Sequence, residues 1–195
     1  MPNLILVKHS LPHIDETAPA KEWLLGAEGR RRAQVLAQKM ARYQPDLLIS
    51  SLEPKAQETA QIVATALGKP LETVANLHEH DRSQVGFLAK DQFAAAVTRF
   101  FAQPDELVFG AETAHAAKDR FSQAIYGILA RFADDNIAVV CHGTVISLFA
   151  AQVAQVDPHA LWRQLGLPSW IVLSRPDLNL VETVVDIDDK NGDTP

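Results

Sequence analysis

The sequence predicts a three-layer α/β/α domain built on a mostly parallel central sheet. Short, continuously apolar runs occur at Leu4-Ile5-Leu6-Val7, Leu47-Leu48-Ile49 and Ile137-Ala138-Val139-Val140-Cys141. Such runs suit strands that are buried on both faces. Between them, apolar residues return every three or four positions, the period of an amphipathic helix. Alternating strand and helix patterns build parallel sheets covered by helices. The 195-residue chain is long enough for one full core. It shows no internal repeat and no linker, so residues 1–195 read as a single domain.

Leu4 to Val7 forms the first strand, and Ser10, Pro12 and the polar stretch to Pro19 form the loop after it. Glu28 to Tyr43 reads as a helix with Leu36, Met40 and Tyr43 at helical spacing, broken by Pro45. Asp46 to Ser50 is a second buried strand. Glu53 to Leu67 follows as a helix, with Ala56, Ala60, Val63 and Leu67 on one face and Gly68 as its stop. A short strand is expected over Leu71 to Val74. Residues 75–112 are less regular and read as a lid-like excursion, with a helix near Lys90 to Phe101 and a turn at Pro104-Asp105. Thr113 to Phe132 is a long helix whose core stripe is Phe121, Ile125, Ile128 and Phe132. Ile137 to Cys141 is the third buried strand, and Thr144 to Val153 is the helix after it. Ser169 to Ser174 and Leu180 to Val185 are the last strands, and the polar tail from Asp186 is expected to fray.

Composition narrows the function. Apolar residues make up 47% and charged residues 22%, as in ordinary soluble domains. The balance of 18 Lys plus Arg against 24 Asp plus Glu, a net charge of −6, argues against nucleic-acid binding, which needs a basic surface. Any anion must be held by a local pocket. With Cys141 as the single cysteine, no internal disulfide can form, which fits a reducing compartment. Leu4–Val7 is too short for the core of a signal peptide, and no apolar stretch approaches a membrane span. The expectation is a cytoplasmic protein with no membrane contact.

Ligands of open α/β sheets gather at the carboxyl ends of the strands. Lys8-His9-Ser10, Ser50-Ser51 with Lys55 on the next helix, and Cys141-His142-Gly143 all stand at such ends. Two histidines and two lysines converging there, beside helix N-termini, suit a phosphate. Taken singly, each has a plainer reading: His9 as structural, Lys8 and Lys55 as solvated, Ser51 as a helix cap. Arg82 offers a guanidinium nearby, although an exposed loop side chain is its default. His78-Glu79-His80-Asp81 superficially resembles a metal-hydrolase motif but lacks further ligands at set spacing, so no metal or other cofactor is expected. Cys141 does not open a Cys-x5-Arg signature, because position 147 is Ser147, and a buried free cysteine is expected. No Gly-x-Ser-x-Gly elbow and no Walker loop occurs.

These positions also carry a resemblance. Leu6-Val7-Lys8-His9-Ser10 resembles the Arg-His-Gly signature of the histidine phosphatase superfamily, also called phosphoglycerate mutase-like. Trp23 to Arg30 is similar to its "leucine, threonine, any two, glycine" segment. Ser50-Ser51-Leu52-Glu53-Pro54-Lys55-Ala56-Gln57-Glu58-Thr59-Ala60 resembles its Ser-Ser-x3-Arg-Ala-x2-Thr-Ala segment. Leu77-His78-Glu79 is similar to its Leu-x-Glu, Gly110-Ala111-Glu112-Thr113 to its Gly-Glu-Ser/Thr with one extra residue, and Val139 to Gly143 to its second His-Gly. The order and spacing hold from residue 4 to about residue 150.

The resemblance implies a phosphoglycerate mutase-like fold and a metal-independent phosphatase. His9 would attack phosphorus and become phosphohistidine, which requires a neutral ring with one free nitrogen. Glu79 would protonate the leaving oxygen and then activate water. Lys8, Lys55 and His142 would hold phosphoryl oxygens, with Ser10 and Gly143 among the phosphate-binding positions. Lysine replaces the family's usual arginine at both 8 and 55, exchanging a planar fork for a flexible point charge. Ser10 replaces glycine, and Gly26 replaces a capping Thr or Ser. The expected substrate is a phosphorylated small molecule or phosphopeptide. A phosphoglycerate mutase-type transferase, a protein-phosphohistidine phosphatase and a non-catalytic phosphate-binding module are the alternatives. Specificity is expected in residues 11–27 and 75–112, where Trp23, Phe87 and Phe109 offer aromatic surface.

Overall fold

The computed structural model describes residues 2–82 and 84–188. Its sheet contains β1 (Asn3–Lys8), β2 (Leu47–Ser50), β3 (Leu71–Thr73), β4 (Ile137–Cys141), β5 (Ser169–Ser174) and β6 (Leu180–Val184) in the order β3-β2-β4-β1-β5-β6. The pairs β3–β2, β2–β4 and β4–β1 are parallel, and β1–β5 and β5–β6 are antiparallel. The predicted three-layer, mostly parallel architecture is therefore the one observed.

Successive side chains of a strand point to opposite faces, so each apolar run feeds two cores. Leu4 and Leu6 face the helices α4 (Ala114–Arg131), α5 (Gly143–Ala154) and α6 (Pro158–Gln164), where Phe121, Ile125 and Phe149 fill the layer. Ile5 and Val7 face α1 (Ala27–Met40) and α2 (Pro54–Leu67), against Leu36, Met40, Ala60 and Val63. Strands wetted on one face would alternate apolar with polar, and these do not.

Most elements lie within a few residues of their predicted bounds. Tyr43, predicted at the end of the first helix, sits in a 3-10 turn over Ala41–Tyr43 instead. The helix α6 was not expected, although its start signals are present: the Asp157 side chain accepts from the Ala160 N–H, and Pro158 occupies the first turn. The excursion carries α3 (Lys90–Ala102), which leaves the sheet and packs Phe100 against Ala114, Ala117 and Leu148 in a small separate core. At the start of the tail expected to fray, Ile187 is buried and Asp186 pairs with Arg32 at 2.8 Å, whereas Asp188 is exposed. The rest of the predicted tail lies outside the described residues. Among the described residues, no helix is long and apolar enough to cross a membrane.

One glycine fixes how the loop after β1 meets α1. A Cβ on Gly29 would lie 2.0 Å from the Leu11 carbonyl oxygen, a backbone atom that cannot swing aside. Gly29→Ala is expected to cost about 1–3 kcal/mol by overpacking. The check is thermal unfolding, with Tm falling roughly 2–4 °C per kcal/mol; an unchanged Tm would show that the loop yields freely.

Candidate active site

Three adjacent parallel strands, β2, β4 and β1, end side by side. Each hands its next residue to the same edge: the Ser51 N–H donates to the Val140 carbonyl at 3.0 Å, and the His9 N–H to the Cys141 carbonyl at 3.0 Å. Ser51, His142 and His9 therefore stand in a row. The two imidazole centroids are 5.2 Å apart, inclined at 61°.

The hydrogen bonds of His9 define its tautomer. Its Nδ1–H donates to the Ser10 carbonyl at 2.7 Å, which leaves the lone pair on Nε2. Burial, followed by the neighbouring His142 and Lys55, holds its pKa well below the usual histidine value. His9 is thus a neutral imidazole with a free nitrogen. His142 is completely buried. The Ser51 hydroxyl lies 3.0 Å from Nε2; with that hydroxyl as donor, the His142 proton sits on Nδ1. That Nδ1 is buried with no partner among the described residues, an orphaned donor beside the His9 ring. Burial first, and Lys55 second, keep His142 neutral as well.

Glu79 stands across from this pair. One carboxylate oxygen accepts from the Thr144 N–H at 3.1 Å, at the start of α5, and the other from the His80 N–H at 2.9 Å. Burial pushes its pKa up, but Arg82, His142 and these two N–H groups outweigh it and leave the carboxyl below its ordinary value. Lys8 Nζ donates to the Leu165 carbonyl at 2.7 Å. It passes Gly143 so closely that a Cβ there would lie 3.0 Å from Lys8 Cε. Burial, partly offset by Glu79, lowers the Lys8 pKa to about 8. Lys55 Nζ donates to the Ala20 carbonyl at 2.6 Å and to Glu53 at 2.5 Å.

The Histidine phosphatase superfamily (branch 1) matches residues 5–179. The chain belongs to this superfamily. No curated protein matches its sequence. Among solved structures, it is similar to a mutant of phosphoserine phosphatase from Entamoeba histolytica in complex with phosphoserine, at 16% identity and TM-score 0.79, covering 96% of this chain and 98% of that one. It also resembles a mycobacterial glucosyl-3-phosphoglycerate phosphatase (19% identity, TM-score 0.72, 88% and 89% covered). A third is the alpha-ribazole phosphatase from Shigella flexneri (18% identity, TM-score 0.71, 95% and 96% covered). At these identities the likeness is one of fold.

A cleft of about 250 Å³ opens between residues 19–21 and 78–82, with Glu53 and Lys55 in its wall. Lys8, His9, Ser10, His142 and Gly143 are not part of its lining; His9 is only 7% exposed. Ser10, expected to bind phosphate, is committed elsewhere: its N–H donates to Thr59 at 3.0 Å and its hydroxyl to the Gly29 carbonyl at 2.7 Å. It braces the turn that orients His9. Gly143 makes room for Lys8.

Glu53 was not foreseen as part of the site. Its buried carboxylate neutralises Lys55, accepts from the Glu79 N–H at 2.8 Å and lies 3.5 Å from His142 Nε2. An acid in front of a helix-starting proline reads as an ordinary first-turn charge. The brace behind Glu79 was also missed. Arg120, on α4, donates to the carbonyls of Asn76, His78 and Glu79 at 2.8, 3.0 and 3.3 Å and pairs with Glu112 at 2.6 Å. Glu112 accepts from the Asp81 N–H at 3.0 Å. Gly110 adopts φ +89°, and a Cβ on it would lie 2.3 Å from the Asp81 carbonyl oxygen. The segment Gly110 to Thr113 thereby serves the acid-bearing loop.

His78 and His80 diverge: His78 borders the cleft, whereas His80 packs between Phe100 and Phe109 at 4.2 and 4.9 Å. Among the described residues, no three His, Cys, Asp or Glu side chains are grouped to hold a metal ion. Cys141 is buried, and burial pushes its thiol far above the usual range.

Proposed function

We propose that the protein is a phosphomonoester hydrolase that works through a phosphohistidine at His9. The observation that carries this reading is the hydrogen bond from His9 Nδ1–H to Ser10, which leaves a neutral Nε2 lone pair beside the orphaned Nδ1–H of His142. Nε2 attacks phosphorus, a P–N bond forms, and the bond to the ester oxygen breaks. Glu79 delivers a proton to that oxygen, so the product is an alcohol. Water then attacks phosphorus, Glu79 takes its proton, the P–N bond breaks, and inorganic phosphate leaves. Glu79 is held ionised in the unliganded site; a phosphate bound beside it favours the protonated form that the first step needs. His142 Nδ1–H donates to a phosphoryl oxygen. Lys8 and Lys55 supply charge to the others, Lys55 with its charge shared by Glu53.

The cleft of about 250 Å³ lies at the small end of ligand pockets, which favours a small phosphorylated molecule as substrate. Phosphate release from a generic aryl phosphate and from a panel of phosphorylated metabolites tests this reading. Hydrolysis of at least the aryl ester is expected. Binding of vanadate with no release from any ester would establish a non-catalytic phosphate-binding module instead.

Lys8 gives the reaction an alkaline limit. With a pKa lowered to about 8, its ammonium is intact below that pH and is lost as pH rises through it. Phosphate binding needs the charged form, so KM is expected to rise above about pH 8. Lys8→Arg, charged throughout, is expected to remove that limb. An identical pH–KM curve in the variant would take Lys8 out of phosphate binding.

A further inference from the structure

We propose that Arg82 supplies the guanidinium fork that positions 8 and 55 lack, gripping the transferring phosphoryl group from the cleft side. This rests on the reaction proposed above. Arg82 shares the cleft wall with Lys55 and Glu79. Its guanidinium carbon lies 5.0 Å from the centroid of the Phe93 ring, on α3. Phe93 in turn packs on Phe109 and Trp162, at 6.3 and 6.1 Å, so the aromatic prop is itself held.

The other two cations at the site are already engaged. Lys55 is neutralised by Glu53 and bonded to Ala20, and Lys8 is bonded to Leu165. Among the described residues, no carboxylate lies within ion-pair distance of the Arg82 guanidinium, and no hydrogen bond uses its donors. A planar fork with open donors, stacked on an aromatic face at the mouth of a phosphate site, is suited to bidentate contact with two phosphoryl oxygens. The charge of Arg82 is also felt by both Glu79 and His142, which places it near the reacting groups from the open side. The double Arg-to-Lys departure at positions 8 and 55 thereby has a physical counterpart: one cation is cancelled by Glu53, and another enters from the excursion.

The test compares wild type, Arg82→Gln and Arg82→Lys in aryl phosphate hydrolysis and in inhibition by vanadate, which takes the five-coordinate geometry of the transfer. Circular dichroism and Tm confirm the fold of each variant. Arg82→Gln is expected to lower kcat/KM and vanadate affinity by about 10²-fold, the scale of one lost transition-state donor. Arg82→Lys is expected to recover less than a tenth of the loss, because a point charge cannot make two parallel bonds. Folded Arg82→Gln within twofold of wild type overturns the proposal, as does Arg82→Lys equal to wild type. If wild type itself hydrolyses no ester, the phosphatase reading fails separately. Calorimetric binding of inorganic phosphate then reads Arg82 directly: weakening in Arg82→Gln supports the clamp, and unchanged binding overturns it.

Discussion

Replacing His9 with alanine is expected to abolish turnover while leaving phosphate binding measurable. No other described side chain offers a neutral, unpaired nitrogen in the same place: His142 Nε2 receives the Ser51 hydroxyl, and its Nδ1 carries the proton. His80 lies between two phenylalanines. Removal of a covalent nucleophile costs on the order of 10³ to 10⁶ in kcat. The binding donors, His142 Nδ1–H and the lysines, remain, so inorganic phosphate should bind the variant within about tenfold of wild type. The ring makes one hydrogen bond, to a carbonyl, so the fold should persist as judged by Tm. Residual turnover within tenfold of wild type would mean that phosphoryl transfer goes directly to water.

Glu79→Gln has the second largest expected effect, and it depends on the leaving group. General acid–base catalysis contributes about 10² to 10⁴ in rate. Alkyl phosphates, whose alkoxide needs a proton to depart, should lose that full factor in the first step. Nitrophenyl phosphate departs without help, so the first step should remain fast while hydrolysis of the phosphohistidine slows. A burst of nitrophenolate equal to the enzyme present, followed by slow turnover, is the expected signature. Equal slowing of both ester classes without a burst would assign Glu79 to binding alone. The glutamine oxygen can serve only one of the Thr144 and His80 N–H groups, so Tm is measured alongside to separate a shifted loop from lost acid–base chemistry.

These two residues show what the sequence revealed and what it hid. His9, His142 and Lys55 follow buried strands whose apolar runs leave no doubt about where they end, so their convergence was legible before the fold was known. The α/β layering was legible for the same reason. Glu79 was legible only through its place in the family pattern, because its loop has no period. What holds that loop, Arg120, lies some forty positions onward and looks like any solvated helix residue until the chain folds. The partners of the two lysines, the carbonyls of Ala20 and Leu165, are backbone atoms that carry no residue signature. Ser10 was expected among the phosphate-binding positions; its buried hydroxyl has its partner in the Gly29 carbonyl, another backbone atom without a residue signature. Glu53 was hidden because an acid before a helix-starting proline reads as an ordinary first-turn charge; pairing with Lys55 makes its burial tolerable.

A covalent bond between phosphorus and His9 Nε2 can be caught by rapid quenching during turnover. The protein is mixed with an excess of aryl phosphate, quenched in alkali, where phosphohistidine survives, and digested, and the modified peptide is sequenced by mass spectrometry. Phosphate is expected on the peptide that contains His9, attached at Nε2, and in larger amount in Glu79→Gln, where hydrolysis of the intermediate is slowed. Phosphate found on another residue, or steady turnover with no phosphorylated peptide in either wild type or Glu79→Gln, would contradict a phosphohistidine at His9.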